Sequence, residues 1–150
     1  ITVPDRAYFG QKDFQQQLVI KRMVRDLDCG LEVVTCPIIR ERDGLAMSSR
    51  NRYLSPEDRQ RALVLRRALE FAANQAENSE ESAAEIENRM SQMIASTDGV
   101  ELDYAVVRDT ETLGKVADRP HNAVALVAAR LGETRLIDNQ ILRFRQGHGP

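Results

Sequence analysis

At 150 residues, 42% hydrophobic and 29% charged, the chain has the composition of a globular protein and the length for one domain or slightly more with a real core. A formal net charge of −2 leaves no electrostatic footprint for nucleic acid or a membrane surface, and the longest apolar run, 123–129, is far too short to span a bilayer. Cys29, Cys36, His121 and His148 make no metal-ligand pattern, and the two cysteines read as buried packing residues of a protein in the reducing cytosol.

The chain opens Ile1-Thr2-Val3-Pro4, with neither methionine nor a targeting segment, and chemistry-bearing residues follow almost at once. It is therefore expected to be a piece of a longer protein. Ala7-Tyr8-Phe9-Gly10 predicts the end of a short buried strand opening into a glycine turn. A helix is expected over 13–27, with Val19, Ile20, Met23, Val24 and Leu27 on one side and Phe14 and Leu18 on nearly the opposite one. A helix apolar on two sides is normally covered on both. Lys12 and Asp13 sit at its N-terminus, where backbone donors and the helix dipole favour an anion. Asp28-Cys29-Gly30 is expected to close it, with glycine just past the end.

Residues 31–39 are rich in β-branched side chains and carry Pro37 near their end, which predicts a strand. Strand, helix, strand is a βαβ unit, and ligands of such sheets sit beyond the carboxyl ends of the strands. Gly10-Gln11-Lys12 and the stretch 40–50 both fall there. The second stretch contains Asp43-Gly44, a turn signal, and then Ser48-Ser49-Arg50. Hydroxyl donors beside a planar, multidentate cation suit the oxygens of a phosphate chain. Arg40, Arg42 and Arg52 are expected on a solvated rim or paired with Glu41 and Asp43.

Ser55-Pro56-Glu57-Asp58 is a helix start, followed by Leu65, Leu69, Ala72 and Ala76 at helical spacing. Ser82-Ala83-Ala84-Glu85 is a capping box opening a second helix, with Ile86, Met90, Met93 and Ile94 on its apolar face. Residues 100–107 alternate, which predicts a strand burying Val100, Leu102, Tyr104 and Val106 and exposing Glu101 and Asp103. A polar connection or short helix is expected over 109–119, then an apolar strand over 122–131, turned back at Gly132-Glu133-Thr134 into a hairpin. Residues 143–150 carry no pattern and read as a tail or linker. The expected fold is an α/β remnant over 1–39, then a small α+β domain over 40–142 with two helices and an antiparallel sheet.

Phe9-Gly10-Gln11-Lys12-Asp13-Phe14-Gln15-Gln16, the run 43–51 and Arg135-Leu136-Ile137-Asp138-Asn139 occur in that order. Together they closely resemble the pantothenate synthetase (pantoate–β-alanine ligase) family of cytidylyltransferase-like nucleotidyltransferases, over roughly the C-terminal half of that family's sequence. The resemblance implies a Rossmann-like nucleotide-binding sheet with the α+β domain as a lid. It also implies ligation in two steps: pantoate's carboxylate attacks the α-phosphorus of ATP to give pantoyl adenylate, and the amine of β-alanine then displaces AMP. Carried over, it assigns Lys12 to the phosphates, Gly10 and Asp13 to the ribose, Gln16 to pantoate, and Ile39 and Met47 to the adenine pocket. Ser48, Ser49 and Arg50 would grip the outer phosphates and share the catalytic role with Lys12. Mg²⁺ would accompany ATP, with no protein-bound metal and no tightly bound cofactor.

A cytoplasmic homo-oligomer is expected. The family's histidine-bearing nucleotide motif belongs to its N-terminal half, and neither His121 nor His148 can replace it, so the chain by itself is expected to be inactive. A cyanobacterial protein fused to a cytidylate kinase would account for the tail. Two other readings stay open: a non-catalytic, self-associating module, and another adenylyltransferase of the same superfamily.

Overall fold

The structure, a computed structural model, describes residues 3–145. The chain forms two compact units, Ile1–Ile39 and Arg40–Pro150.

In the first unit, strand β1 (Arg6–Gly10), helix α1 (Phe14–Asp26) and strand β2 (Glu32–Cys36) form a βαβ arrangement. The strands are parallel, in register from Arg6 opposite Glu32 to Gly10 opposite Cys36. β2 stops before Pro37, which has no amide hydrogen to continue the ladder. The buried residues of α1 are Phe14 and Gln17. Gln17 is held by the Thr35 hydroxyl, which donates to its Oε1 at 2.7 Å and ties the helix to β2. The opposite stripe stays open, with Val19 60% and Leu27 67% exposed.

The end of α1 differs from expectation. Asp28, not Gly30, takes the left-handed conformation, at φ 48°. The Cys29 N–H reaches the Val24 carbonyl at 2.9 Å and the Asp28 N–H the Arg25 carbonyl at 3.2 Å, which is the Schellman pattern with an acid at its left-handed position. Cys29 is consequently exposed rather than a packing residue, and Cys36 is only partly covered.

In the second unit, helices α2 (Pro56–Asn78) and α3 (Ala83–Ala95) pack on one face of an antiparallel sheet of β3 (Glu101–Arg108), β4 (Asn122–Leu131) and β5 (Thr134–Arg143), with β4 central. Both helix starts form as their sequences require. The Ser55 hydroxyl accepts from the Asp58 N–H, and Ser82 and Glu85 complete a reciprocal capping box. The core is Leu65, Leu69, Ile86, Met90, Ile94 and Leu142, together with small residues on facing surfaces: Ala62, Ala68, Ala72 and Ala76 of α2, and Ala123, Ala125 and Ala129 of β4. Side chains that small bring the helix close to the sheet.

β3 departs from strict alternation. Leu102 pairs with Ala129 and Tyr104 with Ala128, leaving Asp103 as a bulge. The bulge exchanges the two faces of the strand, so Ala105 and Val107 are buried instead of Tyr104 and Val106. Residues 109–115 form no helix. Asp109 Oδ1 accepts from the amides of Glu111 and Thr112 and from the Thr112 hydroxyl, making a turn that returns Lys115 to bridge Arg108. The hairpin between β4 and β5 forms with Gly132 at φ 55°. Of the expected tail, β5 includes Arg143, Phe144 is buried and the Arg145 N–H donates to the Ala76 carbonyl at 2.9 Å; the rest of it lies outside the described residues. Among the described residues no helix is long and apolar enough to cross a membrane.

Candidate functional site

The sequence-predicted residues fall into two groups, one in each unit. In the first unit, Gly10 ends β1 and the Gln11 N–H donates to the Cys36 carbonyl at 2.8 Å, which ties the turn to the end of β2. Lys12 and Asp13 follow at the start of α1. Asp13 occupies the cap position, yet its carboxylate makes no capping hydrogen bond. Gln16 lies exposed one turn further along. A Cβ built on Gly10 would meet no atom within 4 Å, so packing inside this chain does not demand glycine there. Ile39, just beyond β2, is 66% exposed and no part of a core. Gly10, Lys12, Asp13 and Ile39 thus cluster by sequence at the carboxyl end of the parallel strands, where open sheets carry their ligands.

In the second unit, Arg40 and Ala46 bridge across a tight turn. The Glu41 N–H donates to the Leu45 carbonyl and the Gly44 N–H to the Glu41 carbonyl. Gly44 sits at φ 95°, which an L side chain rarely adopts. Leu45 and Ala46 are buried, Met47 is 54% exposed, and Ser48 starts a 3₁₀ helix, Ser49–Tyr53, with its hydroxyl accepting from the Arg50 N–H at 3.3 Å. Ser49 and Arg50 are exposed. The Arg50 side chain lines a cavity of about 580 Å³ with Tyr53, Arg130, Arg135 and the β4–β5 turn. Arg130 and Arg135 both face the carboxylate of Asp103, at 3.7 and 2.5 Å. Among the described residues no carboxylate pairs with Arg50.

Arg42 and Arg52 lie exposed, as the solvated rim the sequence suggests, but Arg40 does not, and none of the three takes the acids of the turn. Arg40 grips Asp138 with both guanidinium nitrogens, at 2.7 and 3.1 Å, and also donates to the Gly44 carbonyl. Glu41 and Asp43 pair instead with Arg59 of α2, at 2.6 and 2.7 Å. Arg52 stacks on its neighbour Tyr53. Asn51 is buried, and its amide nitrogen donates to Glu41 Oε1 at 2.5 Å and to the Ala46 carbonyl at 3.1 Å.

Two pKa values follow from this network. The Asn51 amide first, and Arg59 second, hold the Glu41 carboxyl below the ordinary glutamate value. Burial alone would push Asp43 up, but the Leu45 amide and Arg59 outweigh it and leave it lowered. Nothing in the sequence marked Arg59; Asn51 and Asp138 each stand within one of the sequence motifs, but their partners were not legible there.

Residues 1–141 match the family model described as Pantoate-beta-alanine ligase. Relatives include the pantothenate synthetase of Rubrobacter xylanophilus, 54% identical over 142 residues, covering 93% of this chain and 48% of that protein. That of Desulfitobacterium hafniense is 50% identical, covering 95% and 50%. The crystal structure of pantothenate synthetase from Thermus thermophilus superposes with a TM-score of 0.85 at 47% identity, covering 91% of this chain and 49% of that one. A pantoate-beta-alanine ligase from Francisella tularensis, complexed with beta-gamma ATP and beta-alanine, superposes at 0.62 with 27% identity, covering 93% and 44%. The chain spans about half the length of the curated relatives it matches.

Proposed function

The chain belongs to the pantoate–β-alanine ligase family, and on that premise we propose that it is the C-terminal portion of an ATP-dependent ligase joining pantoate to β-alanine through a pantoyl adenylate. In-line attack at the α-phosphorus needs alignment and charge stabilisation more than covalent help from the protein. Lys12, at a helix start, supplies a point charge to the phosphates. Gly10 and Asp13 hold the ribose, Gln16 holds pantoate, and Ile39 and Met47 line the adenine. Ser48, Ser49 and Arg50 hold the outer phosphates and neutralise pyrophosphate as it departs. Mg²⁺ arrives with ATP as part of the substrate. Residues 1–39 are the end of the nucleotide-binding domain, 40–142 a lid, and the complete enzyme a cytoplasmic homo-oligomer. The chain alone is inactive. Fusion to a cytidylate kinase is decided by reading the gene past Pro150.

The observation that carries this reading is the contrast among the arginines. Arg40 and Arg59 are committed to carboxylates, whereas Arg50, beside two hydroxyls on an anchored turn, is exposed and has no carboxylate among the described residues. A cation kept out of the surrounding ion pairs is the group to offer an anionic ligand. In the complete ligase, Arg50→Ala and Lys12→Ala should each lower pantoate-dependent ATP–pyrophosphate exchange by about a hundredfold or more without lowering the melting temperature. Exchange at the parent rate in either variant refutes its assignment. Exchange that is independent of pantoate would point to another adenylyltransferase.

A second reading rests on the open stripe of α1, where Val19, Met23 and Leu27 are exposed at helical spacing. Apolar surface of that kind favours self-association. Light scattering of the chain decides it: a monomer with no dye-accessible apolar surface rules that reading out.

A further inference from the structure

Residues 47–50 leave the body of the second unit as a short outward excursion whose two ends are fixed. Ala46 before it and Asn51 after it are buried. The Asn51 Nδ2 spends one proton on the Ala46 carbonyl at 3.1 Å, which closes the excursion at its base. Its other proton goes to Glu41 Oε1 at 2.5 Å. Glu41 takes Arg59 Nη2 on its second oxygen at 2.6 Å, and Arg59 Nε reaches Asp43 at 2.7 Å. Arg59 lies in the first turns of α2, whose start is itself capped by Ser55. The two serines and Arg50 are therefore suspended from a helix by a continuous chain of hydrogen bonds with charged members.

That chain is peripheral to the packing that holds the unit together. Neither Glu41 nor Arg59 belongs to the apolar core, and their side chains remain 27% and 30% exposed. What the chain does determine is the separation and orientation of the two ends of the excursion. We propose that Asn51 and Glu41 are positioning residues for Ser48, Ser49 and Arg50: the amide of Asn51, oriented by Glu41, sets how these donors present themselves to a triphosphate. The inference rests on the phosphate-holding role given above to those three residues. A displacement of about 1 Å in a group that aligns a reacting phosphate costs on the order of a hundredfold in rate. A device of this kind therefore acts on kcat more than on the KM for ATP.

The variant that separates positioning from packing is Asn51→Asp in the complete ligase. It sets a second carboxylate against Glu41, where only a shared proton can restore the bond, and a carboxylate pair of that kind binds its proton well above the ordinary range. ATP–pyrophosphate exchange, measured well below the variant's melting temperature, should fall by about 10- to 100-fold in kcat near pH 8, with the KM for ATP changed by less than about threefold. The melting temperature is itself lowered at pH 8 and recovers toward about pH 6, because the folded pair holds its proton more tightly than the unfolded chain. Part of the loss should return as the pH is lowered toward about 6, a rise that the parent and Arg50→Ala do not show. Should Asn51→Asp fail to fold, Asn51→Ala is read by the same division between kcat and KM. An unchanged kcat, or a loss that follows a lowered melting temperature with no pH dependence, overturns the proposal. Arg50→Ala, measured alongside, separates the two levels. If it too exchanges at the parent rate, the phosphate-holding role has failed; if it is inactive while the Asn51 variant is normal, only the positioning role has.

Discussion

The Arg40–Asp138 pair is the contact on which the base of the candidate loop depends most directly. Asp138 is almost fully enclosed, its side chain 4% exposed, while that of Arg40 is 19% exposed. The carboxylate accepts both guanidinium nitrogens and the Asn139 N–H at 2.8 Å. In Asp138→Leu the guanidinium keeps only the Gly44 carbonyl. Removing one partner of a buried pair costs about 3–5 kcal/mol. Because Arg40 keeps some solvent and that carbonyl, the lower end, about 3 kcal/mol, is expected here. For a unit of this size that is a fall in melting temperature of roughly 10 °C. Asp138→Asn should lie between, since one amide oxygen can serve only one arm of the fork and its NH₂ opposes the other. Replacing both partners, as in Arg40→Met with Asp138→Leu, should return stability to within about 1 kcal/mol of the parent. Urea unfolding of the chain, followed by circular dichroism, gives all four values. The reasoning fails if Asp138→Leu is as stable as the parent, or if the double variant is no better than the single one.

Leu69→Ala empties a wholly buried position between α2 and the sheet and should cost about 2–5 kcal/mol, read as a lower urea midpoint with an unchanged slope. Gly10→Ala meets no atom of this chain and lies at no left-handed angle, so the chain should be as stable or more stable by about 0.5–1 kcal/mol. In the complete ligase the same change should raise the KM for ATP, and a normal KM would release Gly10 from the ribose. Acid should weaken the second unit through Glu41, Asp43, Glu85 and Asp109, each held below its ordinary value: Glu41 chiefly by the Asn51 amide, Asp43 by the Leu45 amide and Arg59 against the opposing effect of burial, Glu85 by the backbone and hydroxyl of Ser82, and Asp109 by Thr112. Lowered folded values mean that the unfolded chain binds more protons. Their contribution is complete above the ordinary carboxylate range and is lost as pH falls from about 4.5 through the folded values. Urea midpoints from pH 7 to 3 should show that decline, and it should be shallower in Glu41→Gln.

What the sequence states clearly is what short-range chemistry decides. Ser55-Pro56 and the Ser82–Glu85 box start their helices because each needs only three or four consecutive residues. The phosphate-type donors were legible for the same reason, since Ser48, Ser49 and Arg50 are adjacent. The faces of β3 were not. Whether Asp103 is skipped depends on its register against Ala128 and Ala129, and the residues around 103 do not record that. The close of α1 failed in a milder way: glycine is the common left-handed residue, but an acid tolerates that conformation, and Asp28 reached the position first.

The arginine partners show the same division acting on function. Read locally, Arg40 has acids at 41 and 43 to choose from, and proximity along the chain favours them. The turn over 41–45 instead lets Arg59, from the start of α2, take both acids. Arg40 is left to pair with Asp138, 98 positions away. Neither choice can be made from the sequence of the loop, because both partners arrive only once α2 and β5 have packed. Yet those choices determine which cation stays uncommitted. Had Arg50 been drawn to Asp43 or Glu41, the same nine residues would form an ordinary closed surface turn. The motif names the donors, and the fold, by pairing Glu41 and Asp43 with Arg59 and Asp138 with Arg40, keeps Arg50 available for an anion.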